Sequence, residues 1–217
     1  MTGVQTCALP ICFPVTILFA WGLGTSGQVG DGFAVNRLSP VQIGSSSWTS
    51  VAAGNSHSLA IRNDGLLFAW GDSTLGQLGD GFAVSRSSPV QIGNSSWTSI
   101  AAANYHNLAI RSDGLLFAWG YGNSGQVGDG FAVSRSSPVQ IGSSSWTSVA
   151  GGGGHSLAIR SDGLLFAWGL GTSGQLGDGF AVSRSSPVQI GSSSWTSVAG
   201  GGIHSLAIRS DGLLFGF

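Results

Sequence analysis

A segment of 49 residues recurs four times without insertion or deletion, and this periodicity constrains the fold more than any other feature. Trp21, Trp70, Trp119 and Trp168 mark the period, and Phe217 stands in the fifth tryptophan slot. A unit this short leans on its neighbours to bury its apolar face, so the chain must stack units against one another. The units span 17–65, 66–114, 115–163 and 164–212, and 213–217 begin another. The last two differ only at Tyr121/Leu170, Asn123/Thr172, Val127/Leu176 and Gly154/Ile203. Such near-identity fits recent duplication and leaves little room for one unit to carry a special reactive set.

Within a unit, short runs rich in β-branched and aromatic residues alternate with turn signals, and no stretch shows helical spacing. In the second unit the pattern predicts strand a at 66–70, a long loop at 71–88, strand b at 89–92, a turn at 93–96, strand c at 97–102 and strand d at 106–111. Asp113-Gly114 then turns the chain into the next strand a, because glycine accepts the positive φ of a tight hairpin. Four-stranded antiparallel modules at this period predict an all-β fold, a β-propeller or partial propeller arc of about four blades. Strand c, with Ala52, Ala53 and Gly54 and their equivalents, has the small side chains expected next to a crowded axis, giving the blade order c-d-a-b. The chain begins with strands a and b and finishes with c, d and a. That phasing predicts an arc cut from a longer array, whose open edges invite head-to-tail self-association.

Residues 1–16 do not fit the repeat. Residues 1–12 resemble translated adapter sequence, so 1–16 are expected to be non-native or disordered and carry no functional argument, leaving 17–217 as the repeat domain. Charged residues make up only 8%, against roughly 25% in an average domain. The chain has no Lys or Glu, and its net charge is −1, which predicts no nucleic-acid partner. No apolar run reaches the ~20 residues of a membrane helix, so no membrane role is expected. Cys7 and Cys12 lie outside the repeat without a metal-binding spacing.

From Gly54 to Gly81 the chain reads Gly-x-x-His-Ser-Leu-Ala-Ile-Arg-x-Asp-Gly-Leu-Leu-Phe-Ala-Trp-Gly, followed by Gly-Gln-Leu-Gly-Asp-Gly, and this combination recurs. It resembles the regulator of chromosome condensation repeat over 17–217, most closely its microbial and viral members. The resemblance implies a propeller. Its founding member, a seven-bladed guanine-nucleotide exchange factor for a small GTPase on chromatin, implies exchange activity as one alternative. The inserted wedge and basic tail associated with that activity have no counterpart here. The favoured expectation is a non-enzymatic scaffold for a protein or glycan partner, without a cofactor; a structural component of a viral or cell-surface array is a further alternative.

Candidate residues recur with the repeat. His57, His106, His155 and His204 suggest a metal ring, but no acid or cysteine completes a ligand shell beside each, and a histidine bonded to backbone in the turn before strand d is expected instead. Asp64 and its equivalents sit in hairpin turns, and Asp80 and its equivalents between loop glycines, where structural turn roles are expected. The two tryptophan sets, at the end of strand a and the start of strand c, are expected to pack between blades. The candidate partner-binding residues are Phe33, Arg37, Phe82, Arg86, Phe131, Arg135, Phe180 and Arg184 in the long loops, since aromatic and arginine side chains dominate interaction hot spots. The competing expectation is that each Phe packs under its own loop while the Arg caps a neighbouring blade.

Overall fold

The structure is a computed structural model that describes residues 16–217. The non-repeat leader therefore lies outside the described residues, Thr16 excepted. Among the described residues fourteen strands and no helix are formed. In chain order they are β1 (Phe19–Gly22), β2 (Arg37–Gln42), β3 (Trp48–Ala53), β4 (His57–Arg62), β5 (Leu66–Gly71), β6 (Arg86–Ala102), β7 (His106–Arg111), β8 (Leu115–Gly120), β9 (Arg135–Gly151), β10 (His155–Arg160), β11 (Leu164–Gly169), β12 (Arg184–Gly200), β13 (Ser205–Arg209) and β14 (Leu214–Gly216).

All neighbouring pairs are antiparallel, and β3 to β14 follow one another as a twelve-stranded ribbon. The blade order c-d-a-b is visible in β3-β4-β5-β6 and repeats twice more, followed by β12-β13-β14. The β1–β2 pair, an a-b hairpin at the N-terminal end, forms a separate sheet that does not join β14. The described residues thus form an open arc and not a closed ring.

One expectation is corrected. Strands b and c are not separated by a turn in the later units: β6, β9 and β12 each run 17 residues through both. β6 pairs with β5 from Arg86 to Gln91 and again, past a bulge, at Ser96, and then with β7 from Trp97. One extended segment therefore leaves the outer edge of one blade and becomes the inner edge of the next. Gly93, at φ +61, bends the chain at the crossover, and Trp97 N–H donating to Gly65 C=O at 2.9 Å keeps it extended beyond. Strand b also begins at Arg86, which shortens the a–b loop to 72–85.

The hydrophobic core lies between blades. In the first complete interface Leu59, Ile61, Leu67, Ala69, Leu78 and Ile92 of one blade meet Trp97, Ala109 and Trp119 of the next. Trp70, Trp119 and Trp168 are buried, as are Trp48, Trp97 and Trp146. Trp21, in the N-terminal hairpin, is exposed, and Trp195 is partly buried. Gly79 shows why the loop glycine is needed: it has φ +82, and a Cβ there would sit 2.7 Å from Trp119 Nε1.

Candidate functional site

Because strands c and a run parallel to each other and antiparallel to d, the c–d turns and the a–b loops emerge at the same end of every blade. The start of the a–b loop in the second, third and fourth units is anchored near the axis: Asp72 N–H, for example, donates to Ser56 C=O in the c–d turn at 2.8 Å. Its far part reaches the outer strand of the next unit, where Gly81 N–H donates to Ser136 C=O at 2.8 Å. The loop face therefore has an axial centre and an outer rim.

The candidate Phe and Arg side chains occupy the rim. Phe33, Phe82, Phe131 and Phe180 are each 60–62% exposed, so they do not pack beneath their loops. Each Arg does not cap a neighbouring blade but pairs within its own loop, six residues after its aspartate. Arg86 bonds Asp80 at 2.9 Å and Arg184 bonds Asp178 at 2.8 Å; Arg37 pairs with Asp31, and Arg135 with Asp129. The aspartate side chains are almost entirely buried. Asp80 also receives Phe82 N–H at 3.0 Å, closing the turn. The guanidinium carbons stand 5.3–6.0 Å from the phenyl centroids, within cation–π range. Each loop is thus a rigid Asp–Arg–Phe clamp holding an aromatic side chain in solvent. The six-residue spacing from Asp to Arg was the sequence signal for the clamp.

Beneath this face the histidines join the blades. His106 Nε2 lies 2.9 Å from Ser156 Oγ in the next unit, and Ser156 Oγ donates to Gln126 C=O at 2.8 Å. Trp168 Nε1 donates to the same carbonyl at 3.0 Å. Since the serine has one proton and gives it to the carbonyl, the histidine must be the donor through Nε2–H. The same logic holds for His57 with Asn107, and for His155 with Ser205. The bonding partner is therefore a side chain of the next blade and not the backbone of the local turn. Its sequence signal is a polar residue 50 positions later.

These contacts are structural chemistry. A nucleophilic serine gives its proton to histidine, whereas here the proton relation is reversed and both groups are buried. Burial, reinforced by the neighbouring His155 and His57, lowers His106 to a pKa of about 3. Burial and His204 lower His155 to about 4. Both imidazoles are therefore neutral at pH 7. Among the described residues no group of three His, Cys, Asp or Glu gathers as a metal site. Asp64 serves its hairpin turn, accepting from Leu66 N–H at 3.2 Å and pairing with Arg62 at 2.6 Å.

Comparison with known proteins agrees with this architecture. The profile of the Regulator of chromosome condensation (RCC1) repeat matches residues 17–61, 64–110, 113–159 and 162–208. No curated protein matches the chain significantly. Among solved structures, human WBSCR16 is similar with TM-score 0.82 and 24% identity, over 91% of this chain and 54% of its own. Prp20p of Saccharomyces cerevisiae, whose structure was described with its binding to Gsp1p and histones, is similar with TM-score 0.79 and 26% identity, over 88% of this chain and 51% of its own. Yeast Prp20 bound to Kap60 gives TM-score 0.78 at 24% identity, over 93% and 52%. The chain therefore spans about half the length of these structures. With four repeats matched end to end and the propeller arrangement of their strands, the chain belongs to the RCC1 repeat family.

Proposed function

We propose that the protein is a non-enzymatic scaffold that binds a protein partner through the a–b loop face, with the four rim Phe–Arg pairs acting together. The observation that carries this reading is the exposure of Phe33, Phe82, Phe131 and Phe180, each held by an arginine that is itself fixed by a buried aspartate. Exposed aromatics cost solubility unless they are used, and one repeated at every blade forms an extended apolar display. Holding the ring and its cation in place before contact reduces the ordering entropy that binding must overcome. Four equivalent contacts on one scaffold also raise effective concentration for a partner that spans them. The solved relative Prp20 binds proteins, which favours a protein over a glycan as the partner class.

Replacing all four rim phenylalanines with alanine tests the proposal. The immobilised wild-type chain should enrich specific proteins that the variant loses, while the melting temperatures of the two remain close. Equal enrichment on both proteins would refute it. The exchange activity suggested by family resemblance has no inserted element to work through, since every a–b loop has the same length. Nucleotide release from a small GTPase, unchanged on adding the chain, is the expected result.

A further inference from the structure

The four units do not differ at random. In two windows, residues 72–75 and 102–105 with their equivalents, every position varies among the units. One position reads Leu23, Asp72, Tyr121 and Leu170; another reads Ser56, Tyr105, Gly154 and Ile203. Units two to four are by contrast identical through 79–93, which contains the rim loop. Three of the four differences between the last two units fall in these windows, and the fourth, Val127/Leu176, is a conservative change in the buried core.

The fold brings the two windows together. Asp72, Tyr121 and Leu170 N–H groups donate to the carbonyls of Ser56, Tyr105 and Gly154, each at 2.8 Å. Asn55 Nδ2 donates to the Tyr105 hydroxyl of the next unit at 3.2 Å. Around the axis lies a cavity of about 460 Å³, a volume in the range of small ligand sites. Its wall consists of 53–55, 102–104, 151–153 and 200–202, three variable positions from each unit and nothing else. Exposure alone does not account for this variation, because Phe82 and Val84 are exposed and their positions are constant. Nor does the chemistry of the changes resemble drift under core packing. Asp against Leu, or Gly against Tyr, alters charge, size and hydrogen bonding, whereas core positions exchange Val for Leu or Ile.

We infer that this axial mouth is the specificity-determining part of the binding face, and that its ligand is an uncharged, extended polypeptide segment. The inference rests on the proposal that the loop end of the propeller binds a protein. Apart from Asn55 and Asn104 the wall is glycine and alanine, so the ligand meets main chain at close range. No arginine lines it. The nearby carboxylate of Asp72 is already engaged by Thr74, Gln77 and Ser85. No charged or aromatic side chain lines the wall, so a charged ligand finds no counter-charge there and a sugar ring no face to stack on. Asn55 and Asn104 line the mouth, the Tyr105 hydroxyl accepts from Asn55, and Tyr121 N–H donates to Tyr105 C=O, residue types that adaptable protein-binding loops favour.

The probe is a displayed library of random dodecapeptides panned on the full chain. Asn104→Gly with Tyr105→Gly gives the second unit the residues that the third already carries, so folding should be retained. Tyr121→Leu, which copies the fourth unit, provides an independent variant. Enriched peptides should be poor in charge. The axial replacements should weaken them about tenfold or more, and Gln91→Ala, exposed on the outer strand, by less than about twofold, in fluorescence anisotropy. Failure to enrich any peptide would overturn the inference. So would peptides insensitive to both axial variants. Peptides lost only on Phe82→Ala would overturn it while leaving the rim proposal standing. Binding of neutral glycans instead, lost on the axial replacements, would overturn the polypeptide ligand.

Discussion

The rim loop around Phe82 and the axial turn around Tyr105 are exposed on the same face, yet the units treat them oppositely. The rim keeps one chemistry in every unit, a phenylalanine clamped by an arginine on a buried aspartate. At the axis the wall is Ala-Gly-Asn, Ala-Ala-Asn and twice Gly-Gly-Gly, and the residue that follows it, Ser56, Tyr105, Gly154 or Ile203, differs in every unit. The difference teaches that solvent exposure does not by itself release a position to vary. On the proposed reading, a repeated clamp gains from sameness, because identical contacts act together, while a central site that four units approach from different sides gains from difference. Both regions stand on the same inter-blade support, which must be rigid for either to work.

Predictions about that support come first, since their effects are largest. Trp119→Ala removes a fully buried side chain that bonds Gln77 C=O across the interface, and should cost about 3–5 kcal/mol in urea unfolding. A loss near zero would mean that the blades do not hold the face. Acid should loosen the same interfaces. His106 titrates near 6.5 when unfolded but at about 3 when folded, so the unfolded chain binds the proton more readily. Its contribution is complete above pH 6.5 and lost as pH falls towards 3, with a slope of roughly 1.4 kcal/mol per pH unit. Melting temperature followed from pH 7 to pH 4 should fall, and His106→Gln should flatten that fall.

Smaller effects separate rim from support. Asp80→Asn removes the charge that fixes Arg86 and should cost about 1 kcal/mol in unfolding, with greater mobility of the Phe82 ring in NMR relaxation. Phe82→Ala should change stability by no more than about 0.5 kcal/mol, because the ring is mostly exposed. A loss of several kcal/mol there would assign the rim to folding and erase the contrast with the axis.

Much of this architecture is legible in the sequence because the period is exact. Trp70, Asp64-Gly65 and the small residues after Val51 place strand a, the hairpin and the axial strand without reference to distant contacts. The merged strands β6, β9 and β12 are not legible, since Gly93-Asn94 looks like a local turn but serves as a crossover between blades. The role of His106 is hidden for a related reason: its partner, Ser156, is 50 residues away and meets it only after two blades pack. At the candidate site, residue types and spacing point to Phe82 and Arg86, but the buried Asp80 anchor and the ring's exposure require the fold. The axial cavity is the least legible feature, because four separate turns must converge to form it.

The most direct test of the account is quantitative capture by three immobilised proteins of equal stability: wild type, the four-phenylalanine rim variant, and the Asn104→Gly/Tyr105→Gly axial variant. The account predicts that the rim variant loses most captured proteins and that the axial variant changes which proteins are retained. Capture profiles that are the same for all three would contradict it.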